Sequence, residues 1–289
     1  MSGRLHASAV IARRQAFETL LSPGLYVTLA AGLVMGFFLV SGFSSSIDSA
    51  GFNPALNPLY DLISRVLAGS FGEAFVGKLF AEGPFTLTLI VSFLPVFLFL
   101  SISSVFRFGQ EKSAGAIELL TYGPSDGTSY FVASFLKDVI FSAAALLLIA
   151  AFLWITAGAG NLVLGPLFLV SLPILFLLSL AAFAYGILCS ILSSNASAAL
   201  AGFLGILVVF LLVLAGSFAV AGSSVRTVAS VIAAVLQWIS PFFYAALCAR
   251  GFQAGSLFGL LGGMGLLIVL TAAILVVSHF LIRQRGVRA

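Results

Sequence analysis

Few side chains in this sequence are suited to catalysis, and their spacing does not assemble a catalytic centre. The two histidines, His6 and His279, lie near opposite ends of the chain. No H-E-x-x-H or Cys/His cluster of the kind that binds zinc accompanies them. The two cysteines, Cys189 and Cys248, are predicted to lie near opposite membrane faces, too far apart for a disulfide. We therefore predict no metal or nucleophilic site, and an intramembrane enzyme ranks only as a third hypothesis.

One stretch partly matches a nucleotide-binding loop. Gly72 to Leu79 reads GEAFVGKL, but a Walker A loop needs Ser or Thr at the last position to hold Mg²⁺. It also needs a preceding strand and a following helix in a soluble α/β domain, which this apolar chain does not offer. We interpret the match as chance.

Carboxylates inside apolar segments are typical of carriers that couple transport to protons or sodium ions. Here the only carboxylate within a predicted span is Asp138, which directly follows Lys137 and lies within about three turns of the cytoplasmic end of the third span. A locally paired charge explains this arrangement without ion coupling. An ion-coupled secondary transporter is therefore an alternative function, and the pattern favours an energy source outside this chain.

The composition identifies the class of protein that must position these groups. The chain has 289 residues, of which 61% are hydrophobic and 8% charged, and its mean hydropathy is +1.22. Soluble domains carry about 25% charged residues. Nucleic-acid binding would need a contiguous basic face with interleaved aromatic residues, which is absent from the sequence. The composition predicts an all-α polytopic membrane protein.

Six apolar segments have the roughly 20 residues that a membrane-spanning helix needs. They are Leu25–Phe43, Pro84–Phe106, Tyr130–Thr156, Leu162–Cys189, Ala198–Ala221 and Ser256–Ile282. We expect them to form a single transmembrane domain over 1–289, with both termini cytoplasmic.

Three other segments lie outside the spans. Residues 1–22 predict a cytoplasmic interfacial helix, with a cleaved signal peptide as the alternative. Residues 44–83 predict an extracytoplasmic loop with a short surface helix, in which Leu59, Leu62, Ile63 and Val66 share one face. Asp61 and Arg65 form an i,i+4 ion pair on the other face of that helix.

The uncharged segment Thr227–Ala249 is long enough for a seventh span. Basic residues decide against it, because a seventh span would place the tail with Arg283, Arg285 and Arg288 outside. Six spans instead keep nine basic residues inside and leave four outside: Arg65, Lys78, Arg226 and Arg250. Ser240-Pro241 also suits a helix break. We therefore predict that 222–255 is an extracytoplasmic re-entrant segment before the last helix.

Small residues predict where helices approach closely. Gly251, Gly255, Gly259 and Gly263 recur every four residues, and Gly32 and Gly36 are four apart in the first span. Such spacing permits close backbone contact in membranes. Packing within one chain is one interpretation, and a dimer seam is the other.

Residues 107–138 carry seven of the 22 charged residues, and 107–129 form the predicted cytoplasmic loop between the second and third spans. If Glu111–Thr121 is helical, Glu111, Gly115 and Glu118 share one face, while Ala116, Ile117 and Leu120 face the other way. Pro124 and the glycines beside it then turn the chain into the third span. This face fits either a docking surface for a partner or a plain amphipathic interfacial helix.

The residues of this loop carry a family likeness. Glu111 to Asp126 reads EKSAGAIELLTYGPSD and resembles the E-x-x-x-G-T-x-E-x-L-L-x-x-P-V-S/T signature of ABC-2 type transporter permeases. Two flanking pieces are similar to the gliding-motility GldF-like branch: Ser22–Val27 at the first span, and Ser240-Pro241-Phe-Phe with Arg250-Gly251 before the last. The chain departs from the signature at Ala116, where the family usually has Thr, and at Ala133-Ser134, where it usually has Gly-Lys.

The resemblance implies a six-helix ABC-2 (type V exporter-like) permease of a bacterial inner membrane, with no active site of its own. It would pair with an identical or sister permease subunit and with an ATPase subunit that binds ATP and Mg²⁺. Coupling to that ATPase would fall to Glu111, Gly115, Glu118, Leu119, Leu120 and Pro124. Ser240, Pro241 and Phe242 would help close the outer gate. A membrane anchor for a soluble partner is a further alternative.

The substrate class is suggested only by composition. The chain has 29 phenylalanines, and its spans carry almost no charge. These features favour a lipidic, amphipathic or polymeric cargo over a small ion.

Overall fold

The computed structural model describes residues 2–48, 51–71, 73–81, 83–115, 127–220 and 236–285. Their helices are α1 (Ser2–Leu20), α2 (Pro23–Ser44), α3 (Pro58–Phe71), α4 (Glu73–Ala81), α5 (Phe85–Ser113), α6 (Gly127–Ala159), α7 (Pro166–Leu192), α8 (Ala196–Val220), α9 (Pro241–Gln253) and α10 (Leu257–Arg285). A 3₁₀ turn covers Pro54–Leu56. Two two-residue strands, β1 (Ile47–Asp48) and β2 (Gly51–Phe52), pair antiparallel.

Six of the described helices are long and apolar enough to cross a membrane: α2, α5, α6, α7, α8 and α10. This confirms the predicted all-helical membrane architecture with six spans. The bounds differ most at α5, which continues beyond the predicted span to Ser113, and at α7, which begins at Pro166 rather than Leu162. Charged residues at the end of α5 are compatible with helix, so α5 ends where backbone geometry requires it, before Gly115 with its positive φ of 68°.

The centre of the bundle is α5, which packs against α2, α6, α7 and α8. Its closest approach to α2 occurs at Gly32 and Gly36. A Cβ added to Gly32 would overlap the carbonyl oxygen of Ser92, and one added to Gly36 would lie 2.6 Å from the Ser92 hydroxyl. The predicted small-residue pair in the first span therefore serves a contact within one chain.

The helix predicted at 1–22 is present as α1, and it continues the path of α2. Glu18 pairs with Arg107, Gly24 lies against Phe99, and Gly32 lies against Ser92. The number of the contacted α5 residue falls by about one for each residue along α1 and α2, so the two helices follow one antiparallel path along α5. Thus α1 runs along the bundle beyond the start of the first span, and it packs mainly on α6.

The described residues between 44 and 83 (44–48, 51–71, 73–81 and 83) fold into a cap over the end of α2. The rings of Phe43, Phe52, Tyr60 and Phe80 form its core. The Tyr60 hydroxyl donates to the Leu39 carbonyl at 2.8 Å, and burial raises the pKa of the Tyr60 phenol. Closer to the end of α2, the Gly42 carbonyl accepts from Ser46 Oγ at 2.8 Å and from Asn57 Nδ2 at 3.3 Å, which satisfies a carbonyl that the helix itself leaves unpaired.

Within the cap, α3 is the predicted surface helix. It carries the predicted ion pair, because Arg65 Nε donates to Asp61 Oδ1 at 3.0 Å. Its apolar face divides, however: Ile63 packs in the core of the cap, while Leu62 and Val66 are exposed. The Walker-like stretch lies in α4, so its described residues form a helix rather than a phosphate-binding loop.

The last two helices form a tight pair. The 13-residue α9 is too short to cross a bilayer, and it packs on α10 and α7. A Cβ on Gly251 would lie 2.6 Å from the carbonyl carbon of Gly259, and one on Gly263 would lie 2.6 Å from Cys248 Sγ. Gly255 has a φ of +67° and ends α9. The described part of the predicted re-entrant segment therefore ends in a half-length helix held by glycine contacts.

The α2–α5 contact generates a prediction about stability. Gly32→Ala should lower the unfolding temperature of the detergent-solubilised protein, because overpacking against backbone costs about 1–3 kcal/mol. The matched control is Gly205→Ala in α8, where an added Cβ meets nothing within 4 Å. Labelling of the buried thiols of Cys189 and Cys248 during heating measures both variants. Equal midpoints for the two variants would contradict the assigned contact.

Candidate functional site

The end of the bundle that carries the α5–α6 connection holds the described part of the predicted coupling loop. Glu111 lies in the last turn of α5, and Gly115 follows the end of that helix. A single helix over Glu111–Thr121 is therefore not formed, because the chain turns at Gly115. Glu118, Leu119, Leu120 and Pro124 lie outside the described residues.

Glu111 is half-buried and lies near groups of α1 and α6. Its carboxylate is close enough to the Tyr130 hydroxyl for its charge to act on that group, and α1 supplies a cation nearby. The pKa of Arg14 is raised by its hydrogen bond to Glu18, by the charge of Glu18, and more weakly by the charge of Glu111. Sequence spacing alone did not indicate these neighbours of Glu111, since they depend on how α1 and α6 pack beside α5.

An ion network ties α1 to this end of α5. Arg107 Nη1 donates to Glu18 Oε2 at 2.7 Å, and Arg14 Nε donates to Glu18 Oε1 at 2.9 Å. Glu18 therefore bridges two arginines, one from each helix. Because the α1 face towards α6 is made of small and polar residues (Ser8, Ala12, Gln15 and Thr19 are buried), this network adds directional contacts to a weakly apolar interface.

Lys112 ties the same end of α5 to α7. Its Nζ donates to the Ile191 carbonyl at 2.9 Å and to the Ser193 carbonyl at 2.8 Å. Both carbonyls belong to the C-terminal end of α7, where a cation is favoured by unpaired carbonyls and by the helix dipole. We name the unit formed by α1, residues 107–113 of α5 and the start of α6 the stem. Lys112 fixes the stem to the end of α7.

A buried charge pair lies deeper, between α5 and α6. Lys137 Nζ lies 3.0 Å from Asp138 Oδ1, with the side chains 2% and 0% exposed. Ser104 donates to Asp138 Oδ2 at 2.6 Å. This confirms the predicted local pairing and adds a partner on α5 that the sequence did not indicate.

Asp138 belongs to a polar line along one face of α6. Ser134, Asp138 and Ser142 follow one another at four-residue intervals and are all buried. Ser142 lies 2.7 Å from Ser179 of α7, oxygen to oxygen. The Ser104–Asp138 hydrogen bond and the Ser142–Ser179 hydroxyl pair therefore join three spanning helices through groups that are costly to leave unpaired in lipid.

The predicted outer-gate residues lie at the start of α9. Ser240 is the residue before the helix, and Pro241 is its first residue. Two tyrosine hydroxyls fix this turn: Tyr185 of α7 donates to the Ile239 carbonyl, and Tyr244 donates to the Trp238 carbonyl at 2.7 Å. Phe242 packs beside the cluster that contains Tyr185 and Phe210.

The glycine series and the gate residues belong to the same α9–α10 unit, and the C-terminal end of that unit reaches the stem, where Ile282 packs with Phe108 and Tyr130. Gly251, Gly259 and Gly263 are used inside this helix pair. Within the described part of the chain, no group of His, Cys, Asp and Glu side chains is arranged to hold a metal ion.

Comparison with known proteins gives no further assignment: no protein-family model matches the chain, and neither curated proteins nor solved structures include a significant match.

The Glu18–Arg107 pair yields a prediction for the stem. Glu18→Ala and Arg107→Ala should each destabilise the protein, and the double variant should lose less than their sum. The two side chains are 37% and 32% exposed, so we expect a coupling energy of about 0.5–1 kcal/mol that falls at high salt. Unfolding of all four proteins at low and high NaCl measures it. Additive effects at low salt would show that the pair does not join the helices.

Proposed function

We propose that this chain is the permease subunit of an ABC-2 type exporter, forming half of a translocation pathway driven by a separate ATPase. The observation that carries the proposal is the position of the ABC-2-like sequence. It begins in the last turn of α5, at the tip of the stem, where Glu18 of α1 holds Arg107 of α5 and Lys112 of α5 holds the end of α7. Movement imposed at that tip would act on α1, α5, α6 and α7.

The proposal assigns the parts as follows. The ATPase subunit would bind ATP and Mg²⁺, and its closure would push on the loop that contains Glu118, Leu119, Leu120 and Pro124. The stem would carry the displacement into α5, the helix that contacts most of the other spans. Both termini and the loop would be cytoplasmic, in a bacterial inner membrane, and a second permease subunit would complete the pathway.

A charge-reversal pair of variants tests the coupling role. We expect Glu118→Arg to abolish co-purification of a Walker-motif ATPase with the tagged chain, or to abolish stimulation of its ATP hydrolysis. The matched control is Glu73→Arg, because Glu73 is an exposed carboxylate in α4, in the cap. The control should retain both properties, since the cap is expected on the opposite side of the membrane.

Three results would overturn the proposal or parts of it. A clean single species with no ATPase in several mild detergents would favour a carrier. Partner binding without stimulated ATP turnover would favour a membrane anchor. Normal co-purification and stimulation of the ATPase by Glu118→Arg would show that Glu118 does not couple the two subunits. The permease assignment would then depend on whether the wild-type chain binds and stimulates an ATPase.

A second candidate, an ion-coupled secondary transporter, is favoured by the fully buried Asp138. Ionisable groups within membrane helices commonly mark ion or proton pathways. Transport that persists when ATP is depleted and collapses with an ionophore would support this function over the exporter.

Paired substitutions separate a structural Asp138 from a coupling one. Asp138→Asn should cost about 3–5 kcal/mol of stability, because it leaves the Lys137 charge buried without its partner. Adding Lys137→Met should recover most of that loss. A stable double variant that transports at the wild-type rate would rule out ion coupling through Asp138. A stable double variant without transport would favour it.

A further inference from the structure

The start of α9 lies halfway across the bundle. Gly251 lies against Gly259 and Cys248 lies against Gly263, so α9 and α10 run antiparallel. Continuing that register places Ser240 beside Thr271, the midpoint of α10. At about 1.5 Å per residue, this point is roughly 20 Å from either end of α10. The turn before α9 therefore lies near the middle of a membrane that α10 spans.

The hydrogen bonds of this turn leave the Ser240 hydroxyl without a partner. The carbonyls of Trp238 and Ile239 accept from Tyr244 and Tyr185. The Ser240 side chain is 1% exposed, and its Oγ has no hydrogen-bond partner. The N-terminal end of α9, which carries the positive end of a helix dipole, begins at the same point. The turn thus holds one buried, unpartnered hydroxyl beside the positive end of a helix dipole at mid-membrane depth.

Trp238 gives an independent reason to expect a polar neighbour. It is 60% exposed, and its indole N–H makes no hydrogen bond with any described residue. Lipid tails offer no acceptor for that N–H, and exposed tryptophans in membranes favour the interfaces. The other tryptophan, Trp154, fits that preference because it lies in the last turns of α6. Trp238 does not, so its exposed face should meet a polar pathway.

We propose that Trp238 lines the substrate pathway halfway across the membrane, and that its indole and the buried Ser240 hydroxyl bind an anionic oxygen group of an amphipathic substrate. This inference rests on the proposed transport function. The Trp238 indole and the Ser240 hydroxyl donate to phosphate or carboxylate oxygens, at the positive end of α9. The rings of Trp238 and Phe243, with centroids 6.0 Å apart, offer an apolar wall for the substrate's tail.

The two tryptophans provide a direct test on the intact protein. Trp154→Phe leaves Trp238 as the single fluorophore in phosphatidylcholine vesicles. We expect its emission to be quenched by aqueous acrylamide and little affected by phosphatidylcholine brominated near the chain centre. Trp238→Phe leaves Trp154 as the matched reporter of a lipid-exposed position. Strong bromine quenching of Trp238, or protection from both quenchers, would overturn the pathway assignment.

Ligand chemistry is tested on the same single-tryptophan protein. Decyl phosphate should shift Trp238 emission saturably, whereas decyltrimethylammonium, with the same tail and opposite charge, should not. Ser240→Ala should weaken the decyl phosphate response about tenfold, as expected for one hydrogen bond to a charged group. Equal responses to both amphiphiles, or an unchanged response in Ser240→Ala, would overturn the binding assignment.

These measurements are independent of the ATPase assay. Failure of both fluorescence tests with intact ATPase stimulation would reject this inference and leave the exporter assignment standing. Absence of ATPase stimulation, together with an acrylamide-accessible Trp238, would reject the exporter assignment and leave a polar pathway at Trp238 standing.

Discussion

The close contact between α2 and α5 is the constraint on which the rest of the bundle depends. Lipid tails are as apolar as leucine, so helices in a membrane are held together by close packing and polar contacts rather than by hydrophobic burial. Gly32 allows the backbone of α2 to reach that of α5 at Ser92. That contact sets a register which α1 then follows along α5, bringing Glu18 to Arg107.

The same register explains how a charged end is built onto an apolar bundle. Since α5 and α6 continue past their apolar segments, their ends project beyond the part that lipid would cover. There Glu18 and Lys112 each tie two helices together through charged hydrogen bonds. The buried Lys137–Asp138 pair and Ser104 mark the transition from this polar stem to the apolar core. A loop at the tip of such a stem is mechanically connected to the spans.

Much of the architecture was predictable because membrane helices follow from local properties. Apolar length predicted all six spanning helices, and i,i+4 spacing predicted the Asp61–Arg65 pair. The glycine spacings predicted close approaches but not their partners. Helix ends were predicted less well, because charged residues such as Glu111 and Lys112 extend α5 as readily as apolar ones do.

The sequence by itself determined the class of the protein, the number of spans and the presence of a charged segment between the second and third spans. These features depend on composition and on the length of apolar runs, and each segment has both properties without any contact to the others. Tertiary structure decided that Glu111 lies near Arg14 and Tyr130, that Ser104 completes the Asp138 site, and that Trp238 is exposed close to the midpoint of α10. Each of these facts depends on the register between helices distant in sequence, which is set by side-chain packing and has no local signal.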